Sequence, residues 1–172
     1  MDTPTLTDTL PETLPANGLP WTASLHTGDG RMDETHKEFT DMLNALLATP
    51  KDQQLPLYKK FLLHTVEHFA QEERWMVATG FAAENCHAEH HATILETMRA
   101  VETHYEAGDT EIITRLAEAL AEWFPGHAAS MDAGLAIHMK NVGFDTVTET
   151  VADPSKIQSV VMSGCGSVSC SH

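Results

Sequence analysis

The chain is short of positive charge. Lys and Arg total 10 against 25 Asp and Glu, a formal net charge of −15. Such a field repels phosphate, so neither nucleic acid nor an anionic membrane surface is expected as a partner. No apolar run approaches the roughly 18 residues that a membrane-crossing helix needs. The opening MDTPTLTDTLPETLPANG has neither a basic stretch nor an apolar one, which reads as a cytoplasmic protein rather than a secreted one. Cysteine is scarce: Cys86, Cys165 and Cys170 do not make a disulfide framework. Cys86, beside His87, reads as a buried thiol. Nothing in the body alternates with period two, so no sheet is expected there.

What is present is enough to build one core. The 172 residues are 42% hydrophobic and 20% charged, which argues against wholesale disorder. The outlying count is histidine, with 11 residues against 10 Lys and Arg together.

Residues 1–20 are rich in Thr, Pro and Asp and read as a flexible arm. From about Met32 the pattern is helical. A first helix runs to about Thr49, stopped by Pro50, with Met32, Phe39, Leu43 and Leu46 at spacings of three and four. A second starts near Pro56 and ends at Gly80. A third begins near Ala83, ends before Gly108 and carries Ile94, Met98, Val101 and Tyr105 on one stripe. A fourth opens at Asp109–Thr110, carries Ile113, Leu116, Leu120 and Trp123, and ends near Gly143. Each helix must bury its stripe, and short loops force neighbours antiparallel. The expected fold is all-α, an up-down-up-down four-helix bundle over residues 21–145. Residues 146–172 form a Ser/Gly-rich tail carrying Cys165 and Cys170, in which IQSVV reads as a short strand.

Polar residues interrupt every apolar seam. The first runs Met32, His36, Phe39, Leu43; the second Phe61, Thr65, His68, Glu72, Trp75; the third His87, His91, Ile94, Met98; the fourth Leu120, Trp123, His127, Met131. His36 and the pair His87 and His91 come early in their helices, whereas His68, Glu72 and His127 come late. In an antiparallel bundle those positions share one end. Burying five imidazoles and a carboxylate there without partners costs several kcal/mol per group, of order 1–3 each, and a bound cation offsets that cost. His68-x3-Glu72 and His87-x3-His91 are one turn apart and converge on one face. Asp132, five residues after His127, lies about 140° away on an ideal helix. Either a π-bulge returns it to the same face or it is not a ligand; Pro125, one turn earlier, makes distortion reasonable. Imidazole with carboxylate suits iron, zinc, copper or manganese, and seven donors exceed one tetrahedral ion.

These motifs resemble the hemerythrin family. WTASLHTGDGRMDETHKEF is similar to its N-terminal signature, HFAQEERWM to its His-Phe-x-x-Glu-Glu-x-x-Met block, HAEHH to its His-x3-His, and WFPGHAASMD to its Trp-x3-His-x4-Asp. The likeness covers roughly Trp21 to His138. It implies a non-haem site of two Fe ions per chain that binds O2 reversibly. One iron would take His87, His91 and His127 and the other His36 and His68, with Glu72, Asp132 and an oxo or hydroxo group as bridges. The second iron, with two His, would leave a position for O2 or peroxide. Phe39, Phe69, Trp123, Phe124 and Ala128 would line the ligand pocket. The family's aliphatic pair around the fourth-helix His is replaced by Phe124 and Ala128, which should enlarge the pocket, and Pro125-Gly126 is a further departure.

Two other functions are weighed against O2 storage, delivery or sensing. One is a di-iron peroxidase or oxidase, suggested by Ala128. The other is redox or iron response through Cys165 and Cys170, with the tail contacting a protein partner. Ferritin-like iron oxidation is disfavoured, because it needs two Glu-x-x-His runs and the helices offer only Glu84 to His87. His64 and His90 read as solvated, and His26, His104, His138 and His172 carry no pattern.

Overall fold

Asp29 opens the first helix by accepting hydrogen bonds from the N–H groups of Arg31 and Met32, satisfying two donors that a helix start leaves free. In the computed structural model, which describes residues 14–81 and 85–159, five helices follow. They are α1 (Gly30–Ala48), α2 (Gln54–Thr79), α3 (Cys86–Glu106), α4 (Ile112–His127) and α5 (Ala133–Val142), with a π turn at Ala128–Asp132 joining the last two. The expected fourth helix is thus α4, the π turn and α5 run together. α1 packs on α2 and α4, and α3 packs on the same two, so the four long helices close into an antiparallel bundle.

Local chemistry sets the breaks. Gly80 ends α2 in the left-handed region at φ 66°, which glycine adopts without a Cβ clash. Asn85 caps α3 by accepting from the Ala88 N–H. Gln54 donates to the Leu46 carbonyl and hydrogen-bonds Thr114, tying the end of α1 to the starts of α2 and α4.

The buried apolar residues form two layers. Phe39, Leu43, Phe61, Met98, Ile113, Leu120 and Phe124 belong to one, and Met32, Trp75, Met76, Leu135 and Met139 to the other. Along α1 the order is Met32, His36, Phe39; along α2 it is Phe61, His68, Glu72, Trp75. Each path leaves one apolar layer, crosses a polar storey and enters the other. On α4 the buried seam is Ile113, Ala117, Leu120 and Phe124, while Leu116 and Trp123, which the sequence pattern favoured, sit at its partly buried edge.

The packed body extends beyond 21–145 at both ends. Leu19 is buried, and its N–H and carbonyl both bond the Asn44 side chain. After α5 come two short strands, β1 (Phe144–Asp145) and β2 (Thr150–Val151), paired antiparallel. Thr146 then donates to the carboxylate of Asp29. A 3-10 helix at Pro154–Ser159 covers the first residues of IQSVV, so these are not strand, and the rest of that run lies outside the described residues. Cys165 and Cys170 lie outside them too. Cys86 is held in a disulfide, not as the buried thiol that its setting suggested. Among the described residues no helix is long and apolar enough to cross a membrane.

Candidate metal centre

Seven side chains meet in the polar storey: His36 from α1, His68 and Glu72 from α2, His87 and His91 from α3, His127 from α4 and Asp132 from the π turn. All are buried. Their donor atoms form two overlapping sets, Glu72 with His87, His91, His127 and Asp132, and Glu72 with His36 and His68. Within each set the atoms lie within 4.8 Å of one another.

Both carboxylates divide their oxygens between the sets. Glu72 Oε1 lies 3.0 Å from His68 Nε2 and 3.5 Å from His36 Nε2. Its Oε2 lies 3.2 Å from His87 Nε2 and 3.4 Å from His91 Nε2. Asp132 Oδ1 lies 2.9 Å from His87 Nε2 and 3.1 Å from His127 Nε2, while Oδ2 lies 3.2 Å from His36 Nε2. Each acid therefore spans two groups of imidazoles.

Asp132 reaches this position through the π turn. The Ala133 N–H bonds the Ala128 carbonyl, five residues back instead of four. The wider turn absorbs the extra residue between His127 and Asp132 and returns the carboxylate to the face that carries His127. Pro125 and Gly126 precede it, and Pro125 has no N–H to give to the regular ladder.

The storey does not satisfy itself. His36 Nε2, His87 Nε2, Glu72 Oε2 and both Asp132 oxygens are buried without an aligned hydrogen bond, despite separations near 3 Å. Donors gathered this closely, yet without aligned bonds to one another, suit a cation within each set. Electrostatics agrees. Burial lowers the pKa of His36, yet the Asp132 and Glu72 carboxylates outweigh it and push it up to about 10. His87 is raised to about 9 by the same balance. His91 is pushed down to about 2, chiefly by burial. Burial raises both acids, but the imidazoles hold Glu72 and Asp132 well below the carboxylate range. Two buried negative charges demand positive charge, which metal ions supply without protonating the ligands. The donor set fits such ions.

Aromatic rings brace the site from two sides. Phe124 meets His36 edge-on at 5.1 Å, stacks on Phe39 at 4.6 Å and belongs to the same apolar layer as buried Ala128. On the other side Phe69 stacks on His91 at 3.8 Å and Trp123 on His127 at 4.4 Å. Of the five residues expected to line a ligand pocket, Phe39 and Phe124 thus stand at the two-imidazole group. Phe69 and Trp123 stack on rings of the three-imidazole group.

Other histidines take separate places. His138 is buried and donates from Nε2 to the Thr79 carbonyl, a tie between α5 and α2 with no counterpart in the sequence reading. His64 is half-buried rather than solvated, and lines a groove of about 390 Å³ between α1 and α2 together with Arg31, Thr35, Gln71, Arg74 and His68. His90 is exposed. Glu73 was not singled out by the sequence reading; its Oε1 lies 3.7 Å from His91 Nδ1. The Glu-Glu pair in HFAQEERWM was the available signal.

Residues 27–136 match the family model described as "Hemerythrin HHE cation binding domain". A bacteriohemerythrin of Ralstonia nicotianae is 32% identical over 134 residues, covering 78% of this chain and 98% of that protein. A bacteriohemerythrin of Pseudomonas paraeruginosa is 24% identical over 142 residues, covering 80% and 90%. One from Stenotrophomonas maltophilia is 25% identical over 126 residues, covering 71% and 82%.

Proposed function

Because the chain belongs to the hemerythrin family, a family of non-haem iron-binding proteins, we propose that it holds two iron ions and binds O2 reversibly, for storage, delivery or sensing. His87, His91 and His127 would hold one ion and His36 and His68 the other, with Glu72 and Asp132 spanning both. The observation that carries this reading is the division of each carboxylate's oxygens between the two imidazole groups. When bound, the iron pair would supply the electrons that a diatomic ligand takes up.

The residues of the chain do the rest. Five imidazoles and two carboxylates from four helices and the π turn hold the donors at fixed separations, so little reorganisation accompanies ligand binding. The two-imidazole side offers fewer protein donors, so a small ligand would bind on that side. Phe39, Phe124 and Ala128 keep its surroundings apolar, which excludes water and slows proton delivery. Phe69 and Trp123 stack on ligand rings on the other side and hold their orientation.

A second reading, a di-iron peroxidase or oxidase, draws support from the polar groove that has His68 in its wall. On that reading the groove would bring water, protons or a small reductant to the His68 side. One experiment separates the two. The purified protein is loaded with ferrous iron, counted, and mixed anaerobically and then with O2. Two irons per chain and an O2 spectrum that reverses under vacuum support the carrier. Steady peroxide turnover with a reductant, lost in His36→Ala, supports the enzyme. Failure to hold iron overturns both.

A further inference from the structure

α1 and α2 run in opposite directions, so Arg31, Thr35 and Glu38 along one face Arg74, Gln71 and His64 along the other. Two cross-pairs fix that register: Thr35 Oγ1 lies 3.3 Å from Gln71 Oε1, and Glu38 Oε2 lies 3.8 Å from His64 Nδ1. The groove of about 390 Å³ along this seam is therefore polarised. Arg31 and Arg74 stand at one end, and Glu38 and Glu67 line the other beside His64. The chain has four arginines at a formal net charge of −15, and two of the four line this one groove.

Polar atoms in its wall go unsatisfied by the chain. His68 is buried and turns Nε2 to Glu72 Oε1 at 3.0 Å. Its Nδ1, on the other side of the ring, has no hydrogen-bond partner among the described residues, and neither has His64 Nε2. Buried polar atoms are ordinarily paired, so both nitrogens call for a partner from outside the chain. The guanidiniums also retain donors. Arg31 gives Nη1 to Glu34, and Arg74 gives Nε and Nη2 to Glu149, which leaves N–H groups of each for a ligand.

We propose that the groove between α1 and α2 binds a small organic monocarboxylate that carries a hydroxyl at its far end. The carboxylate sits at the Arg31 and Arg74 end, where guanidinium N–H groups match its oxygens. The hydroxyl meets His68 Nδ1 and His64 Nε2; being both donor and acceptor, it suits either tautomer of each ring. A second carboxylate at that end would face Glu38 and Glu67, so the ligand is a hydroxy monoacid and not a diacid. Arg74 lies six positions after His68, about 9 Å along the axis, and helical side chains lean back toward the N-terminus, so about four carbons span the rest. Recognition rests on the chain's own side chains, whatever ion the polar storey holds.

Equilibrium dialysis of the full chain against labelled 4-hydroxybutyrate tests this. One molecule should bind per chain with a dissociation constant of about 1 mM, and no saturable binding up to about 50 mM overturns the proposal. Arg31→Gln and Arg74→Gln should each weaken binding roughly tenfold. Unaltered affinity in both would put the acid on a bound metal instead, and overturns the groove. Glu149→Gln releases Arg74 from its acid while its amide oxygen still accepts from Trp75 Nε1, so binding should tighten, by about threefold. Weakening in Glu149→Gln as well as in Arg74→Gln overturns the site, because a loosened β1–β2 segment gives that pattern with no contact to the ligand. The uncharged 4-hydroxybutyramide and the hydroxyl-free butyrate should each bind about tenfold more weakly. Equal affinity for either one overturns the assignment of the two ends.

Discussion

His127 Nε2 and Asp132 Oδ1 lie 3.1 Å apart although Asp132 comes five positions later in the chain, a spacing that an α-helix would turn to different faces. The π turn makes the pair, and through it Asp132 reaches His36 on α1 as well. Asp132→Ala should therefore disturb both imidazole groups. The expected result is a fall from two irons per chain to one or fewer after desalting. Full retention of two tightly held irons would show that Asp132 is no ligand.

Phe69 lies parallel to the His91 ring, 3° between planes, and is buried. Phe69→Ala should cost about 3–5 kcal/mol in the metal-free protein, through lost apolar contact and the cavity left behind. Phe69→Leu should recover much of that. Urea unfolding measures both, and equal stability of the Ala variant and wild type would refute the packing argument.

Gly80 combines φ 66° with close approach of Ile157. Gly80→Ala should destabilise by about 1–2 kcal/mol from the left-handed backbone alone, with steric cost added. Pairing it with Ile157→Ala should relieve the steric part only. A double-mutant cycle reads this coupling; strict additivity would mean that the segment at Ile157 does not rest on Gly80 in solution.

Acid and base should both weaken the metal-free protein. His36 and His87 have folded values of about 10 and 9, above the ordinary 6.5, so their stabilisation is complete below 6.5 and lost as pH climbs through those values. His91 has the opposite sign: its contribution is present above 6.5 and lost as pH falls. Glu72 and Asp132, held low, lose theirs below the ordinary carboxylate values of 4.5 and 3.8. Thermal unfolding of chelator-stripped protein should peak near neutral pH, and the gap to the iron-loaded form should widen at pH 10. A constant gap from pH 7.5 to pH 10 counts against protonated imidazoles in the stripped storey.

Glu73 stands 3.7 Å from the outer nitrogen of His91 and is half exposed. Glu73→Gln keeps the shape and removes the charge. Iron affinity should fall about tenfold, the low end for a group that orients a ligand from behind. Competition with a coloured chelator measures it, and unaltered affinity would leave Glu73 a surface residue only.

The four-helix body was legible from residues alone, because each apolar stripe at spacings of three and four has one way to hide and the short loops allow one order of directions. His36, His68, Glu72, His87 and His91 fell on those stripes by the same periodicity, so the sequence by itself determined that they share a storey. Asp132 was a different matter: a five-residue offset is off-face in any regular helix, and only the hydrogen-bond shift at Ala128–Asp132 brings it round. The fourth-helix seam also moved, to Ala117 and Phe124, because those face the partner helices once the bundle closes. Tertiary structure alone decided which oxygen of each acid faces which imidazoles, that Leu19 and Ile157 fasten the ends, and that Cys86 is bonded instead of free. Periodicity records which side of a helix is buried, whereas these relations depend on atoms far apart in the chain, and only packing sets the distance between them.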